Sequence, residues 1–116
     1  MKYKMIVLDL DGTLTNNRKL ITPHTKQALM LAQAAGVHVV LASGRPTYGI
    51  VPLAEELKLK ENNGYILAFN GGKIIDCTNN NVLFEQKLDE QLVPLLYQEA
   101  KKANMEILTY QGEGIA

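Results

Sequence analysis

The chain has a single cysteine, no surplus of either charge and no long apolar run, and each lack narrows the possibilities. Cys77 alone cannot close an intrachain disulfide, and nothing resembles a zinc-ligand cluster. Twelve basic residues balance twelve acidic ones, so the electrostatic footprint of a nucleic-acid binder is missing. The early apolar stretch Met5-Ile6-Val7-Leu8 stops at Asp9, too short for a signal peptide or a membrane span. What is present is an ordinary globular composition, 47% apolar over 116 residues, about one domain's length. The expectation is a soluble, cytoplasmic, mixed α/β chain.

The apolar pattern predicts alternating strands and helices. Residues 4–8 form a short apolar run that reads as a buried strand, ended by Asp9-Leu10-Asp11-Gly12. Thr22-Pro23 supplies an N-cap and a first-turn proline. Ala28, Leu29, Leu31, Ala32 and Ala35 follow at helical spacing, and Gly36 suits a C-terminal stop. Val37 to Ala42 reads as a second strand, closed by Ser43-Gly44-Arg45-Pro46. A second helix is predicted between Pro46 and Leu59, either kinked at Pro52 or beginning there. Tyr65 to Phe69 reads as a third strand, ending at Asn70-Gly71-Gly72. This order implies a Rossmann-like, doubly wound parallel sheet with right-handed crossovers.

After Gly72 the pattern changes. Lys73–Asp76 and Val82–Glu85 read as a hairpin, Asp89 as the N-cap of a helix reaching about Ala103, and Met105–Tyr110 as a strand. Pro94 obscures where that helix starts. The expected division therefore falls near Gly72, with residues 1–72 Rossmann-like and residues 73–116 an α+β piece.

The chemistry concentrates at strand ends. On an extended chain, side chains two apart face the same way, so Asp9 and Asp11 share a side while Leu10 faces the other. Ligands of open parallel sheets bind beyond the carboxyl ends of strands. Two neighbouring carboxylates can divide nucleophile and acid/base roles, or hold a hard cation such as Mg²⁺. A phosphate beside both needs that cation, since each like-charge pair about 4 Å apart costs roughly 4 kcal/mol at an effective dielectric near 20. Ser43 offers a hydroxyl, Gly44 an approachable backbone N–H, and Arg45 a forked cation. Asn70 brings an amide to the third strand's end. Plainer readings exist for each: an Asp-x-Asp-Gly turn or calcium loop, an ordinary strand-to-helix turn at Ser43-Gly44, a surface Arg45, an Asn-Gly turn at Asn70. An EF-hand loop needs a glutamate where this chain has Leu20. His24 and His38 have no mutual spacing that suggests a metal, and Cys77 reads as a small filler or turn-edge residue.

Asp9-Leu10-Asp11-Gly12-Thr13-Leu14, followed by Leu41-Ala42-Ser43-Gly44-Arg45-Pro46 and Asn70-Gly71-Gly72, resembles the haloacid dehalogenase superfamily. It is most similar to the Cof-type phosphatases, which insert an α/β cap after the third core strand. The resemblance implies an N-terminal half of the core over residues 1–72 and the beginning of a truncated cap over 73–116. It implies a Mg²⁺-dependent phosphatase of small phosphorylated metabolites such as sugar phosphates, working through an aspartyl-phosphate. Asp9 would be the nucleophile and a Mg²⁺ ligand. Asp11 would be the general acid/base, its backbone carbonyl also on the metal. Ser43 and the Gly44 amide would hold the phosphoryl group, with Leu10, Arg45 and Asn70 on the phosphate or substrate.

The superfamily's later lysine and acidic metal motifs have no counterpart here, which implies a fragment with half a site, inactive alone. Its first strand would leave an open edge, through which the fragment is expected to self-associate. Alternatives are a phosphomutase or phosphotransferase of the same superfamily and a non-catalytic Mg²⁺- or partner-binding fragment. A signalling receiver module would want an aspartate where Asn70 stands.

Overall fold

A computed structural model describes residues 2–108 and the backbone at 110–111 and 114–115. The chain forms two compact units, one ending at Gln86 and one starting at Lys87.

The first unit is built on a five-stranded sheet in the order β1-β2-β3-β4-β5, comprising Met5–Asp9, His38–Ala42, Tyr65–Ala68, Lys73–Asp76 and Asn81–Glu85. The first three strands are parallel, linked by helices α1 (Pro23–Ala34) and α2 (Thr47–Glu56). Both crossovers run the same way across the sheet, so right-handedness puts both helices on one face. A single core confirms it: Leu29 of α1 and Ile50 and Ala54 of α2 cluster with Val39, Leu41, Ile66, Ala68 and Ile75. The opposite parity of β1 looks outward, with Met5 50% and Val7 57% exposed.

Local chemistry sets the helix ends. Thr22 is extended and its Oγ1 accepts the Thr25 N–H, while Pro23 opens α1 without a needed donor. At the other end Gly36 takes φ +90°, the Gly36 N–H donates to Gln33 O and the Val37 N–H to Ala32 O. That pair of bonds is a Schellman stop. The buried face of α1 is Leu29, Ala32 and Gln33. Leu31, one of the residues read at helical spacing, is 64% exposed, because two residues from Leu29 is more than half a turn around the helix. Gln33 lies inside, its Nε2 donating to Leu57 O at 2.9 Å and tying α1 to the end of α2.

Pro52 neither starts α2 nor stops it: the helix runs from Thr47 through Pro52 to Glu56. Pro52, sixth of the ten residues, removes the bond that would reach the carbonyl of Tyr48, yet the helix continues through it. The helix then closes with the same motif as α1, Lys58 N–H to Glu55 O and Leu59 N–H to Ala54 O, but with Lys58 in the left-handed position at φ +55°. Glycine fits that position without a Cβ penalty. Lys58→Gly is therefore expected to stabilise the chain by about 0.5–1 kcal/mol, seen as a higher urea midpoint at unchanged slope.

The hairpin β4–β5 extends the parallel sheet. β4 pairs antiparallel with β3 along its length, Tyr65 opposite Asp76 and Ala68 opposite Lys73, so the sheet runs on to Glu85. Gly72 lies inside this unit, and the units part after Gln86. Cys77, just beyond β4, is buried in the core; burial and then the neighbouring Asp76 carboxylate push its thiol up to about 11.

In the second unit, Asp89 accepts the Gln91 N–H and caps a 3-10 turn at Glu90–Leu92. Helix α3 follows over Val93–Lys102, with Pro94 in its first turn. Asn104 at φ +55° ends it, Met105 N–H donating to Ala100 O at 2.8 Å. The strand expected over 105–110 does not form at 105–108. A strand needs a partner, and the pairing found is β6 (Tyr110–Gln111) with β7 (Gly114–Ile115); Thr109 lies outside the described residues. Among the described residues no helix is long and apolar enough to cross a membrane.

Candidate functional site

Register brings three strand tips into line. Asp9 pairs with Ala42, and Ala42 pairs with Leu67, so their side chains form one row across the carboxyl ends of β1, β2 and β3. Beyond the row the chain continues as Ser43-Gly44 and Asn70-Gly71. Together these seven residues line a cavity of about 280 Å³. It opens where ligands of parallel α/β sheets bind.

Of the residues singled out in the sequence, Asp9, Ser43, Gly44 and Asn70 line this cavity, while Leu10, Asp11 and Arg45 do not. Leu10 is fully buried in the core. Its carbonyl accepts the Thr13 N–H, the Thr15 N–H and, at 3.0 Å, the Thr15 hydroxyl, so only its backbone N–H could serve a ligand. These bonds fold the chain sharply after β1, and Gly12 makes the turn at φ +82°. Thr15, only 3% exposed, was not marked by the sequence pattern. Its role in holding the Leu10 carbonyl depends on a turn that no periodicity reveals.

The second and third tips brace each other. Ser43 N–H donates to Leu67 O, Asn70 N–H to Ser43 O and Phe69 N–H to Arg45 O, all between 2.9 and 3.0 Å. The Ser43 hydroxyl, largely buried, accepts the Arg45 N–H at 3.0 Å. In the segment that donates these two N–H groups, Phe69, Asn70 and Gly71 take φ values of 53°, 56° and 90° in succession. Two consecutive left-handed residues that are not glycine are strained, a common mark of a functional loop. The Asn70 amide lies over Gly44: a Cβ there would sit 2.9 Å from Asn70 Oδ1. A side chain at Gly44 would therefore displace the Asn70 amide.

Arg45 turns away from the cavity and pairs with Asp11, Nη2 to Oδ1 at 2.6 Å. Its Nη1 donates to Gly49 O at 3.1 Å. The lining therefore carries one carboxylate, Asp9, and no cationic side chain. Among the described residues no group of three Asp, Glu, His or Cys side chains is gathered for a metal. His24 opens α1 and is exposed, and His38 Nδ1 lies 2.8 Å from Asn63 O; neither lines the cavity.

Comparison with known proteins shows the family of the chain. Residues 6–116 match the family model described as haloacid dehalogenase-like hydrolase. A crystal structure of a haloacid dehalogenase-like hydrolase from Bacteroides thetaiotaomicron is 50% identical with a TM-score of 0.88, over 97% of this chain and 42% of that one. The protein M6_Spy0533 of Streptococcus pyogenes serotype M6 is 32% identical over 114 residues, 97% of this chain and 42% of its own length. The 5-amino-6-(5-phospho-D-ribitylamino)uracil phosphatase YcsE of Bacillus subtilis is 39% identical over 85 residues, 73% of this chain and 32% of its own length. The chain spans less than half the length of each of these relatives. A family match that runs from the first strand through the described part of the second unit leaves one assignment: the chain belongs to the haloacid dehalogenase-like hydrolases.

Proposed function

We propose that these residues form the nucleophile-bearing half of a phosphatase site for small phosphorylated metabolites, sugar phosphates among them, in the cytoplasm. The observation that carries the reading is the Asp9 carboxylate in one cavity with Ser43 and Gly44. On this reading residues up to Gln86 belong to the catalytic core and those from Lys87 open the cap. The ribityl phosphate ester in the name of YcsE is a substrate of this chemical kind.

An Asp9 carboxylate oxygen attacks phosphorus in line, forming an aspartyl-phosphate as the ester P–O bond breaks. Asp11 gives its proton to the departing alkoxide. It then takes a proton from water, whose oxygen attacks the same phosphorus and returns Asp9 as the free carboxylate with release of inorganic phosphate. The Gly44 N–H and the Ser43 hydroxyl hold the phosphoryl oxygens during both displacements.

The donor set fits Mg²⁺: hard oxygens from the Asp9 carboxylate and the Asp11 backbone carbonyl, with the balance from water and phosphate, as Mg²⁺ commonly takes. The cavity lining holds a carboxylate and no cation, so a phosphate dianion there faces uncompensated negative charge. When bound, the metal would supply the positive charge that lets nucleophile and phosphate approach. Asp9 and Ser43 would orient the reactants and Asp11 would carry the proton.

Beryllofluoride with Mg²⁺ tests the assignment. Fluorine NMR of the chain is expected to show a bound adduct that disappears in Asp9→Asn. An adduct surviving that change, or none at all, defeats the reading. With no lysine or second acidic group at the cavity, the chain alone should hydrolyse p-nitrophenyl phosphate negligibly. Robust Mg²⁺-dependent turnover would show instead that these residues suffice.

A further inference from the structure

Arg45 sits in the loop that reads as phosphate-binding, yet its side chain is committed elsewhere. Its backbone is pinned on both sides, N–H to Ser43 Oγ and carbonyl to the Phe69 N–H. From that fixed point the guanidinium forks. One arm reaches Asp11 Oδ1 at 2.6 Å and the other the Gly49 carbonyl at 3.1 Å in the first turn of α2. The stem lies across Gly49, where a Cβ would come within 3.3 Å of both Arg45 Cβ and Cδ. A planar fork holds a carboxylate and a carbonyl at a set separation, which a point-like ammonium cannot do.

We propose that Arg45 is a positioning residue for Asp11, not a ligand of the phosphate. It joins the loop after β2 to the loop after β1, so the two halves of the reading that Asp11 carries the proton and Ser43-Gly44 the phosphoryl group are held in one frame. Because Oδ1 is engaged by the guanidinium, proton transfer belongs to Asp11 Oδ2. The inference rests on the proposed role of Asp11. It assigns Arg45 a partner that the loop sequence alone does not suggest.

The experiment is nitrogen-15 and carbon-13 NMR of the 116-residue chain, with inorganic phosphate and Mg²⁺ as the probe. The free chain should show separate, slowly exchanging Nη signals for Arg45, which collapse in Asp11→Ala. Arg45→Ala should move the Asp11 carboxyl carbon signal, and Arg45→Lys should not restore it. Phosphate affinity, read at the Ser43 and Gly44 amides, should change by less than about twofold in Arg45→Ala, whereas loss of a direct charged hydrogen bond to phosphate would cost about tenfold or more. Nη signals that survive Asp11→Ala, an unmoved Asp11 carboxyl in Arg45→Ala, or the tenfold loss would each overturn the proposal. Phosphate that perturbs neither Ser43 nor Gly44, with the Arg45–Asp11 signature intact, would sink the phosphate site and leave the pairing standing.

Discussion

Leu10→Ala is expected to lower unfolding free energy by about 2–5 kcal/mol, the usual cost of emptying a fully buried leucine position. Single domains have only about 5–15 kcal/mol in hand, so urea unfolding should begin at far lower concentrations. Asp9→Asn, one residue away, should move the midpoint hardly at all, within about 0.5 kcal/mol, because Asp9 is exposed. The contrast follows from the alternation at the end of β1. Leu10 is 0% exposed and packs with Leu14, Leu41 and Ile50 in one cluster, while Asp9 faces the cavity. An unchanged midpoint in Leu10→Ala would mean that this tip is not packed as described. Retention of the fold by Asp9→Asn also makes it a clean probe of chemistry.

That same variant should change phosphate binding in opposite directions with and without a divalent ion. Without one, the Asp9 carboxylate repels a bound phosphate. For unit charges about 4 Å apart the penalty lies between about 1 kcal/mol in bulk water and about 4 kcal/mol at an effective dielectric near 20. The exposure of Asp9 favours the lower part of that range. Asp9→Asn should therefore tighten inorganic phosphate binding about fivefold to tenfold in chelator-treated buffer. With Mg²⁺ present, the substitution removes a ligand and should weaken phosphate binding by about tenfold or more. Phosphorus-31 NMR titrations of both proteins, with and without Mg²⁺, give the four affinities needed. A change of the same sign in both buffers would remove the case for a cation beside Asp9.

Much of this site could be read in advance because the same residues end the strands and form the cavity. Asp9, Ser43 and Asn70 each interrupt an apolar run, and an apolar run that breaks at a polar or glycine residue is visible one residue at a time. Thr22-Pro23 and Gly36 likewise announce the ends of α1 by local chemistry. What escaped depends on partners distant in the chain. Lys73–Asp76 looks like half of a hairpin, and nothing in it tells that β3 will pair with its other edge. Leu31 is apolar yet faces outward, while Gln33 is buried because Leu57 O, 24 residues on, accepts its amide. Arg45 in a serine-glycine-arginine loop suggests an anion ligand; its bond to Asp11 spans 34 residues and is set by where two loops meet. Pro52 misleads for the opposite reason: it lies inside α2, and the helix runs on through the missing hydrogen bond.

Of the three strands whose tips meet at the cavity, β2 and β3 are each gripped on both sides, but among the described residues β1 has β2 as its sole neighbour in the sheet. The carboxylate that must be placed most accurately thus rides on the strand with the least lateral support. Its amides should exchange with solvent deuterium sooner than those of Val39 to Leu41. Whatever comes to lie along the outer flank of β1 will act as a second hand on the nucleophile, and aim will improve or suffer with it.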